Sequence, residues 1–503
     1  MRLNFSPEIT QLLELVRSKV KPEQLLYIVG GAVRDLLLGQ ALHDLDFVLS
    51  DDPTSLAKQI ARKLNAGFFV IDDERNTARV IYHQEGNRTF PLDFVKFTGE
   101  DLLSDLQHRD FTINAIAVEV DQLDKIIDPL GGIRDLADGI LRPCNNDALL
   151  DDPVRVLRGI RLAMQFNFRY APDTAELMKK AGQYLPKTSY ERQRDEFFKI
   201  LEGSNPTGGM RQCRQFDVFA TLIPPLTAQN DVPVSPPHTL PLFDHTISVI
   251  KYLDQLLGNL LGKSEVEREP GWWQDRFQSR LGKYSKQIET YLDEEITPGR
   301  SKKGLMIFCA LLHDIGKPST LTVGEDGYLH FYNHAEVGAD LAWEAAKRLQ
   351  MSNAESAWIR KVVHYHMLLL PLLNKDRKPT RREVYKFFKE TGEAGLAIAL
   401  LSLADTLGTY NQNLTQEKWE QALTVCDVML SAWWEDQESV VEPKLFLDGN
   451  DIQQRFGLQP GKEIGILLEK LEEAQAVGQV QTGEEAEFFL KKQMKGSGSE
   501  SKD

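Results

Sequence analysis

The segment LLYIVGGAVRDLLLGQALHDLDFVLS, residues 25–50, constrains the fold of this 503-residue chain more than any other stretch. An apolar run ends at Gly30-Gly31, and a helix-like AVRDLLLG follows, with Gly39 placed as its stop. Strand, paired glycines and helix together let backbone N–H groups approach a phosphate. Arg34, one turn in, is positioned to add a charge-assisted bond to that phosphate. The run Asp44-Leu45-Asp46-Phe47-Val48-Leu49 then reads as a strand. Residues two apart share a face, so Asp44 and Asp46 stand together while Leu45 and Phe47 face a core. Adjacent carboxylates repel unless a cation neutralises them, and Mg²⁺ prefers such hard oxygen ligands. Asp93, in FPLDFVKF, supplies a third acid on another expected strand. Three acids beside a phosphate loop suit metal-assisted phosphoryl or nucleotidyl transfer.

The rest of the chain is long enough for three or four domains. Its 59 Lys and Arg against 74 Asp and Glu give a net charge of −15, which argues against a basic coat but leaves room for a local basic stripe. Cys144, Cys213, Cys309 and Cys426 are far apart with no CxxC pair, so a disulfide framework or zinc finger is not expected and a reducing compartment fits. MRLNFSPEIT is unlike a signal peptide, and apolar runs such as Leu305–Leu312 are too short to span a bilayer. The expectation is a cytoplasmic protein without a membrane partner.

Texture divides the chain. Short β-like runs occupy residues 1–145, and apolar spacings of three and four mark a helical segment over 146–225. A Pro-rich stretch, TLIPPLTAQNDVPVSPPHTLP, reads as a linker or rigid connector. A second helical region covers 226–435, with a charged insertion at about 260–303; an amphipathic segment covers 436–491, and 492–503 reads as a disordered tail.

GGAVRDLLLG followed by DLDF resembles the signature of class II tRNA nucleotidyltransferases, the CCA-adding enzymes and their bacterial poly(A) polymerase relatives. Later motifs follow in that family's order: HRDFTINA (108–115), DPLGGIRDLADGILR (128–142), DDPVRVLRGIR (151–161), SYERQRDEFFKIL (189–201) and a C-terminal segment from LFLDGNDI onward. The resemblance implies an α+β chain: a small DNA polymerase β-like nucleotidyltransferase head, an all-α neck, an HD-type helical domain and a helical tRNA-binding tail. It implies Asp44, Asp46 and Asp93 as catalytic acids, with Mg²⁺ on Asp44 and Asp46. It also implies a nucleotide site built from Gly30, Gly31, Arg34, Arg109, Asp110, Asn114, Asp152, Arg155 and Arg158. In the family an acid and an arginine of the DDPVRVLR segment hydrogen-bond the incoming base, so protein acts as template. Asp152 and Arg155 match those positions. Yet Asp152 also precedes Pro153 and a helix, where an N-cap is wanted, so Asp151 stays open as the reader. The implied partners are tRNA, CTP and ATP.

Two departures stand out. His108 replaces the family's usual arginine. Between Phe97 and His108 lies only TGEDLLSDLQ, where full CCA-adding members usually carry a long flexible loop. In the family a shortened loop goes with addition of CC alone, which implies a separate A-adding enzyme. The basic-aromatic GRRF-like signature of poly(A) polymerases is absent from FFVIDDERNTARVIYH, so poly(A) synthesis is the alternative reading, beside an HD phosphohydrolase with a non-catalytic head and a tRNA-binding module without catalysis.

His245, His313-Asp314, His334, His364 or His366, and Asp405 occur in an order that resembles the HD-domain phosphohydrolases. Imidazoles and carboxylates converging from separate helices suit Mg²⁺, Mn²⁺ or Ni²⁺ and hydrolytic chemistry. His366 is the favoured member of the HYH pair, with His364 open. The charges of RQRDEFFKIL and KYSKQIETYLDEEITPGRSKKG read as solvated helix faces, and Trp272-Trp273 and Trp433-Trp434 as packing between helices.

Overall fold

The computed structural model describes residues 3–21, 23–72, 76–83, 89–262, 271–325 and 327–497, with side chains to residue 494. The chain divides into two compact units, Met1–Thr221 and Leu222–Asp503.

In the first unit, strands β1 (Leu26–Val29), β2 (Leu45–Leu49), β3 (Gly67–Asp72), β4 (Thr77–His83), β5 (Thr89–Lys96), β6 (Ala117–Glu119) and β7 (Gln122–Ile127) form one sheet. Its order is β3-β4-β5-β2-β1-β6-β7. The β2–β5 contact is parallel and the other pairs are antiparallel. One face buries Ile28, Phe47, Val80, Leu92 and Phe94 against α1 (Pro7–Arg17) and α3 (Pro53–Leu64). The Phe47 and Phe94 rings stack at 4.9 Å. Each such fully buried side chain contributes roughly 1.5–3 kcal/mol. Period-2 alternation sends Asp46, Asp93 and Arg79 to the opposite face. Asp44 sits one residue ahead of β2 rather than inside it.

The glycine pair opens α2 (Gly31–Leu37), and Gly30 adopts φ 75°, which a side chain would resist. Gly39 follows the helix at φ 70°, as its predicted stop. Where a long loop was conceivable, the chain forms a short helix, α4 (Leu102–Gln107), capped by Asp101. In DPLGG, Asp128 accepts the N–H groups of Gly132 and Ile133, opening α5 (Gly132–Asp138). A Cβ on Gly132 would lie 2.1 Å from the Thr112 carbonyl oxygen, so only glycine fits there.

The helical part of this unit contains α6 (Ala148–Asp151), α7 (Val154–Phe166), α8 (Thr174–Gly182), α9 (Tyr190–Leu201) and α10 (Pro206–Gln215). Asp152 does not cap α7 with its side chain: Pro153 holds the N-cap position, and Asp152 ends α6. The side chain is thereby released from capping.

The second unit is largely helical. The Pro-rich stretch, expected as a linker or rigid connector, is ordered rather than loose. Pro224–Asp231 forms a 3₁₀ helix whose Leu226 and Gln229 are buried, and Gln229 accepts from Thr246 in α12, the helix that follows α11 (Val218–Leu222). Here α12 spans Leu242–Leu260, α13 Trp272–Leu281, α14 Ser285–Asp293, α15 Lys302–Leu312, α16 Lys317–Thr320, α17 His334–Arg348 and α18 Asn353–Tyr365. They are followed by α19 (Leu370–Leu373), α20 (Arg381–Thr391), α21 (Ala394–Tyr410) and α22 (Gln416–Trp434). The charged insertion thus contains two helices, with residues 263–270 outside the described residues. Its charges are not all solvated: Arg300 and Glu355 are a buried bidentate pair, and buried Lys302 contacts Glu294 and Glu393. Trp273 packs edge-on against Trp419 and Tyr252, and Trp433 and Trp434 pack on Phe388 and Tyr284. The final helices, α23 (Gly449–Phe456), α24 (Lys462–Ala476) and α25 (Gly483–Ser497), enclose their own small core. Residues 492–497 of the expected disordered tail are instead helical, as the end of α25; 498–503 lie outside the described residues.

Candidate functional sites

The sheet places two carboxylates side by side by strand register alone. Asp46 on β2 pairs directly with Asp93 on β5. Asp44 lies close enough for its charge to act on Asp46. Burial raises the Asp46 carboxyl to about 6, and Asp44 and Asp93 add to the rise. Desolvation, then Asp93 and Asp35, raises Asp44. Such a cluster is held at an electrostatic cost that a divalent cation relieves, and its all-oxygen donors fit Mg²⁺.

Beside Asp46 a cavity of about 410 Å³ opens, a size suited to a nucleotide. Gly30 forms its edge, with a Cβ position only 3.1 Å from Asp46 Oδ2 and 3.3 Å from Arg109 Nη1. Cations dominate the wall: Arg109, Arg155, Arg158, Arg192 and Lys199. Asp105 on α4 accepts from Arg109 Nε and Nη2 at 3.1 and 3.0 Å and from the Thr98 N–H at 2.9 Å. The short connector thus anchors Arg109. Asp110 is buried and lies 2.7 Å from Arg158. Burial would raise its pKa, but Arg158, Asn114 and the Phe111 N–H outweigh that and lower it.

Not every predicted nucleotide contact reaches the cavity. Arg34 is buried, donates to Asp35 and Asn114, and lies over the Phe166 ring. It ties α2 to the Thr112–Asn114 turn instead of presenting a free cation. Gly31 is absent from the cavity wall, whereas Gly30, Arg109, Asp110, Asn114, Asp152, Arg155 and Arg158 are brought together there. Asp151 is exposed at the end of α6, and Asp152 faces the cavity. Asp152 Oδ2 is 2.6 Å from Arg192, while its buried Oδ1 has no hydrogen-bond partner among the described residues. Arg155 donates to the carbonyls of His108, Arg109 and Ala148, which fixes its guanidinium beneath the cavity.

Sequence reasoning missed Arg192 and Lys199 by reading RQRDEFFKIL as a solvated face. On α9 both line the cavity, and Glu196 is buried against Arg161. Their spacing of seven, with Asp195 and Glu196 between, was the available signal for one helix face. Arg79 was also missed. It grips Asp93 bidentately, with Nε–Oδ1 and Nη2–Oδ2 both at 2.7 Å.

In the second unit His245 (α12), His313 and Asp314 (after α15), His334 (α17), His366 (after α18) and Asp405 (α21) converge. Nε2 of His245 is 3.2 Å from Asp405 Oδ1 and 3.5 Å from Asp314 Oδ2. Nε2 of His334 and of His366 lie 3.6 and 3.8 Å from Asp314 Oδ1. Asp314 therefore joins two potential ligand groups, one with His245 and His313 and one with His334 and His366. Nδ1 of His313, His334 and His366 each meets a backbone carbonyl three residues back, aiming Nε2 inward. The buried Nε2 atoms of His245, His313 and His334 have no hydrogen-bond partner among the described residues. Buried, inward-facing, unpartnered imidazole nitrogens around a carboxylate fit a divalent metal. Burial and neighbouring His313 lower His366 to about 4, so its imidazole is neutral, as a ligand must be. Of the HYH pair, His364 packs on Tyr365 and His366 faces Asp314. Lys317, 2.6 Å from Asp314, and His238, from the Pro-rich stretch, also line this pocket and were not anticipated. Lys317 follows Asp314 by three residues, a helical spacing that could have flagged it.

Comparison with known proteins gives consistent matches. Residues 26–142 match the "Poly A polymerase head domain", 167–230 the "Probable RNA and SrmB- binding site of polymerase A", and 276–407 the "HD domain". The A-adding tRNA nucleotidyltransferase of Deinococcus radiodurans is 29% identical over 472 residues, covering 92% of this chain and 94% of that protein. The CC-adding tRNA nucleotidyltransferase of Thermus thermophilus is 29% identical over 469 residues, covering 92% of each. The Multifunctional CCA protein of Nitrosococcus oceani is 30% identical over 395 residues, covering 74% of this chain and 84% of that protein. A solved CCA-adding enzyme in its apo form shares the fold, with TM-score 0.61 and 24% identity over 96% of this chain and 93% of its own.

Proposed function

From the premise that this chain belongs to the tRNA nucleotidyltransferase family of A-adding, CC-adding and CCA-adding enzymes, we propose that it adds the two cytidines and leaves the final adenosine to a separate enzyme. The observation that carries this reading is the connector between β5 and Arg109. It is a six-residue helix whose Asp105 pins both Thr98 and Arg109, so the stretch between Phe97 and Arg109 supplies no long loop with which to reshape the cavity. One rigid pocket suits one base.

The chain's residues divide the work as follows. Arg109, Arg158, Arg192 and Lys199 receive the triphosphate of CTP, with Gly30 giving its backbone close approach to the reacting phosphate. The unpartnered Asp152 Oδ1 accepts from the cytosine N4 amino group, and Arg155 donates to the acceptors on the same edge. Asp110 and Asn114 orient Arg158 and Arg34. Asp44 and Asp46 would hold the divalent cation, and Asp93 completes the acidic wall. When bound, that cation favours the ionised form of the attacking 3′-hydroxyl and neutralises charge on the phosphates. Attack at the α-phosphate then forms the new phosphodiester bond, and pyrophosphate leaves.

The second unit supports a further role as a metal-dependent phosphohydrolase, on the strength of its unpartnered imidazole nitrogens. His245, His313, Asp314, His334, His366 and Asp405 would hold Mg²⁺, Mn²⁺ or Ni²⁺, and Lys317 and His238 face the space where a phosphate would sit.

Labelled CTP and ATP, supplied separately and together to tRNA ending at the discriminator base, at C and at CC, test the proposal. Addition that stops after two cytidines is expected. Addition of A to a CC end would overturn the CC assignment. Long A-tails would favour poly(A) synthesis, and no incorporation would leave the head as a binding module.

A further inference from the structure

The nucleotide cavity explains one side of Asp46; the open sheet face on its other side has no assigned use. Strand register defines a single row across that face. Asp46 on β2 pairs with Asp93 on β5, Asp93 with Arg79 on β4, and Arg79 with Phe69 on the edge strand β3. Directly paired residues project to the same face, so these four side chains form one file. Exposure rises along it, from 18% for the Asp93 side chain to 42% for Arg79 and 58% for Phe69.

Each member has a chemistry still to be used. Arg79 spends Nε and Nη2 on Asp93, leaving the two N–H groups of Nη1 directed away from that pair. Phe69 is a large exposed ring that leans over Gly67, where a Cβ would lie 3.5 Å from Phe69 Cε2. A glycine there leaves the ring space. Among the exposed residues of β3, Phe69 alone is registered with the carboxylate row; Val70 and Ile71 point by alternation and bulge to other positions.

We propose that this file is the track for the tRNA 3′ end: Phe69 stacks on the terminal base, Arg79 Nη1 binds its phosphate, and the 3′-hydroxyl is delivered at Asp93 and Asp46. The inference rests on the nucleotidyl-transfer reading and deepens it. Three arguments commit it to this occupant. In-line displacement brings the attacking oxygen from the side opposite the leaving pyrophosphate. The triphosphate cavity lies on the β1 side of Asp46, and the row leaves it on the β5 side. A cation followed by an aromatic, at neighbouring strand positions, matches the phosphate-and-base alternation of a single-stranded end. Arg79 also neutralises Asp93, so the approaching phosphate does not meet a bare acidic wall.

The test measures single-nucleotide CTP addition by the full chain, with KM for tRNA and for CTP determined separately. The variants are Phe69→Ala and Phe69→Trp. The primers are tRNA with an intact last nucleotide and the same tRNA with an abasic one. Phe69→Ala should raise KM for intact tRNA by on the order of tenfold with KM for CTP unchanged, and Phe69→Trp should restore it. The abasic end should cost the wild type a similar factor and cost Phe69→Ala almost nothing further. Arg79→Gln should reduce the slope of log KM for tRNA against log salt by about 0.7. An unchanged KM in Phe69→Ala, or an abasic penalty equal in wild type and variant, overturns the track while CTP addition by the wild type keeps the underlying reading intact. Failure of the wild type to add CTP to either primer overturns both.

Discussion

Arg158 on α7 stands 2.7 Å from Asp110, and this ion pair joins the helical part of the first unit to the sheet-bearing part at the wall of the cavity beside Asp46. The attraction runs both ways: Asp110 raises the Arg158 pKa, and Arg158, together with Asn114, the Phe111 N–H and Arg155, overcomes the burial that would raise Asp110. Asn114 extends the link, donating to Asp110 and accepting from Arg34. The Arg158 guanidinium is thereby held in place at the cavity wall, which would lower the reorganisation needed if it receives phosphate as proposed.

Asp46→Asn should remove CTP incorporation by more than about a thousandfold, because several kcal/mol of metal-dependent stabilisation disappear together. Binding of tRNA, followed by filter retention at fixed salt, should be nearly unchanged. Retained incorporation would mean that the catalytic carboxylates lie elsewhere.

Asp152→Ala should relax base choice more than it lowers overall affinity. Losing one paired edge contact is worth about 1–3 kcal/mol of discrimination, or roughly 5- to 150-fold in the ratio of kcat/KM for CTP over the other nucleotides. The ratio is read from single-turnover addition to tRNA ending at the discriminator base.

His313→Ala should strip divalent metal from the second unit. Metal content by mass spectrometry after dialysis should fall, and affinity for Mn²⁺ by calorimetry should weaken by about a hundredfold or more. His364→Ala should change neither measurement, since that ring packs on Tyr365.

The buried Arg300–Glu355 pair predicts an acid-sensitive stability difference. Burial alone would raise Glu355, but Arg300 and the Ser352 N–H and hydroxyl hold it below the usual carboxylate range. A depressed carboxyl contributes its full stability above the unfolded value of about 4.3 and loses it as pH falls through that value toward the folded one. Glu355→Gln should therefore cost about 3 kcal/mol at pH 7, because buried Arg300 loses its bidentate carboxylate. The gap in Tm between variant and wild type should shrink steadily below about pH 4.

The chain's chemistry was legible because it sits in short, local patterns. Gly30-Gly31, the acid at Asp46 and the His313-Asp314 pair depend on neighbours a few residues away, and alternation along a strand fixes which side chains share a face. The expected strands and the helical remainder follow from that; Arg109, Asp110 and Asp152 were marked only by the resemblance of their motifs to the family's, and the fold brings them to one cavity wall. What crosses long stretches of sequence was decided only in three dimensions. Asp46 and Asp93 meet because β2 and β5 are parallel neighbours. Arg79 neutralises Asp93 through the β4–β5 register. Arg34, well placed in sequence for a phosphate, is turned inward by Asp35 and Asn114. Lys199 and Arg192 reach the cavity because α9 packs on α7, and the Pro-rich stretch folds onto α12 and brings His238 to the pocket lined by Asp314, His334 and His366. Local pattern sets which groups a segment can offer. Burial, register and pairing with distant charges decide which of them are free to act, because a charge already satisfied within the fold has little left for a ligand.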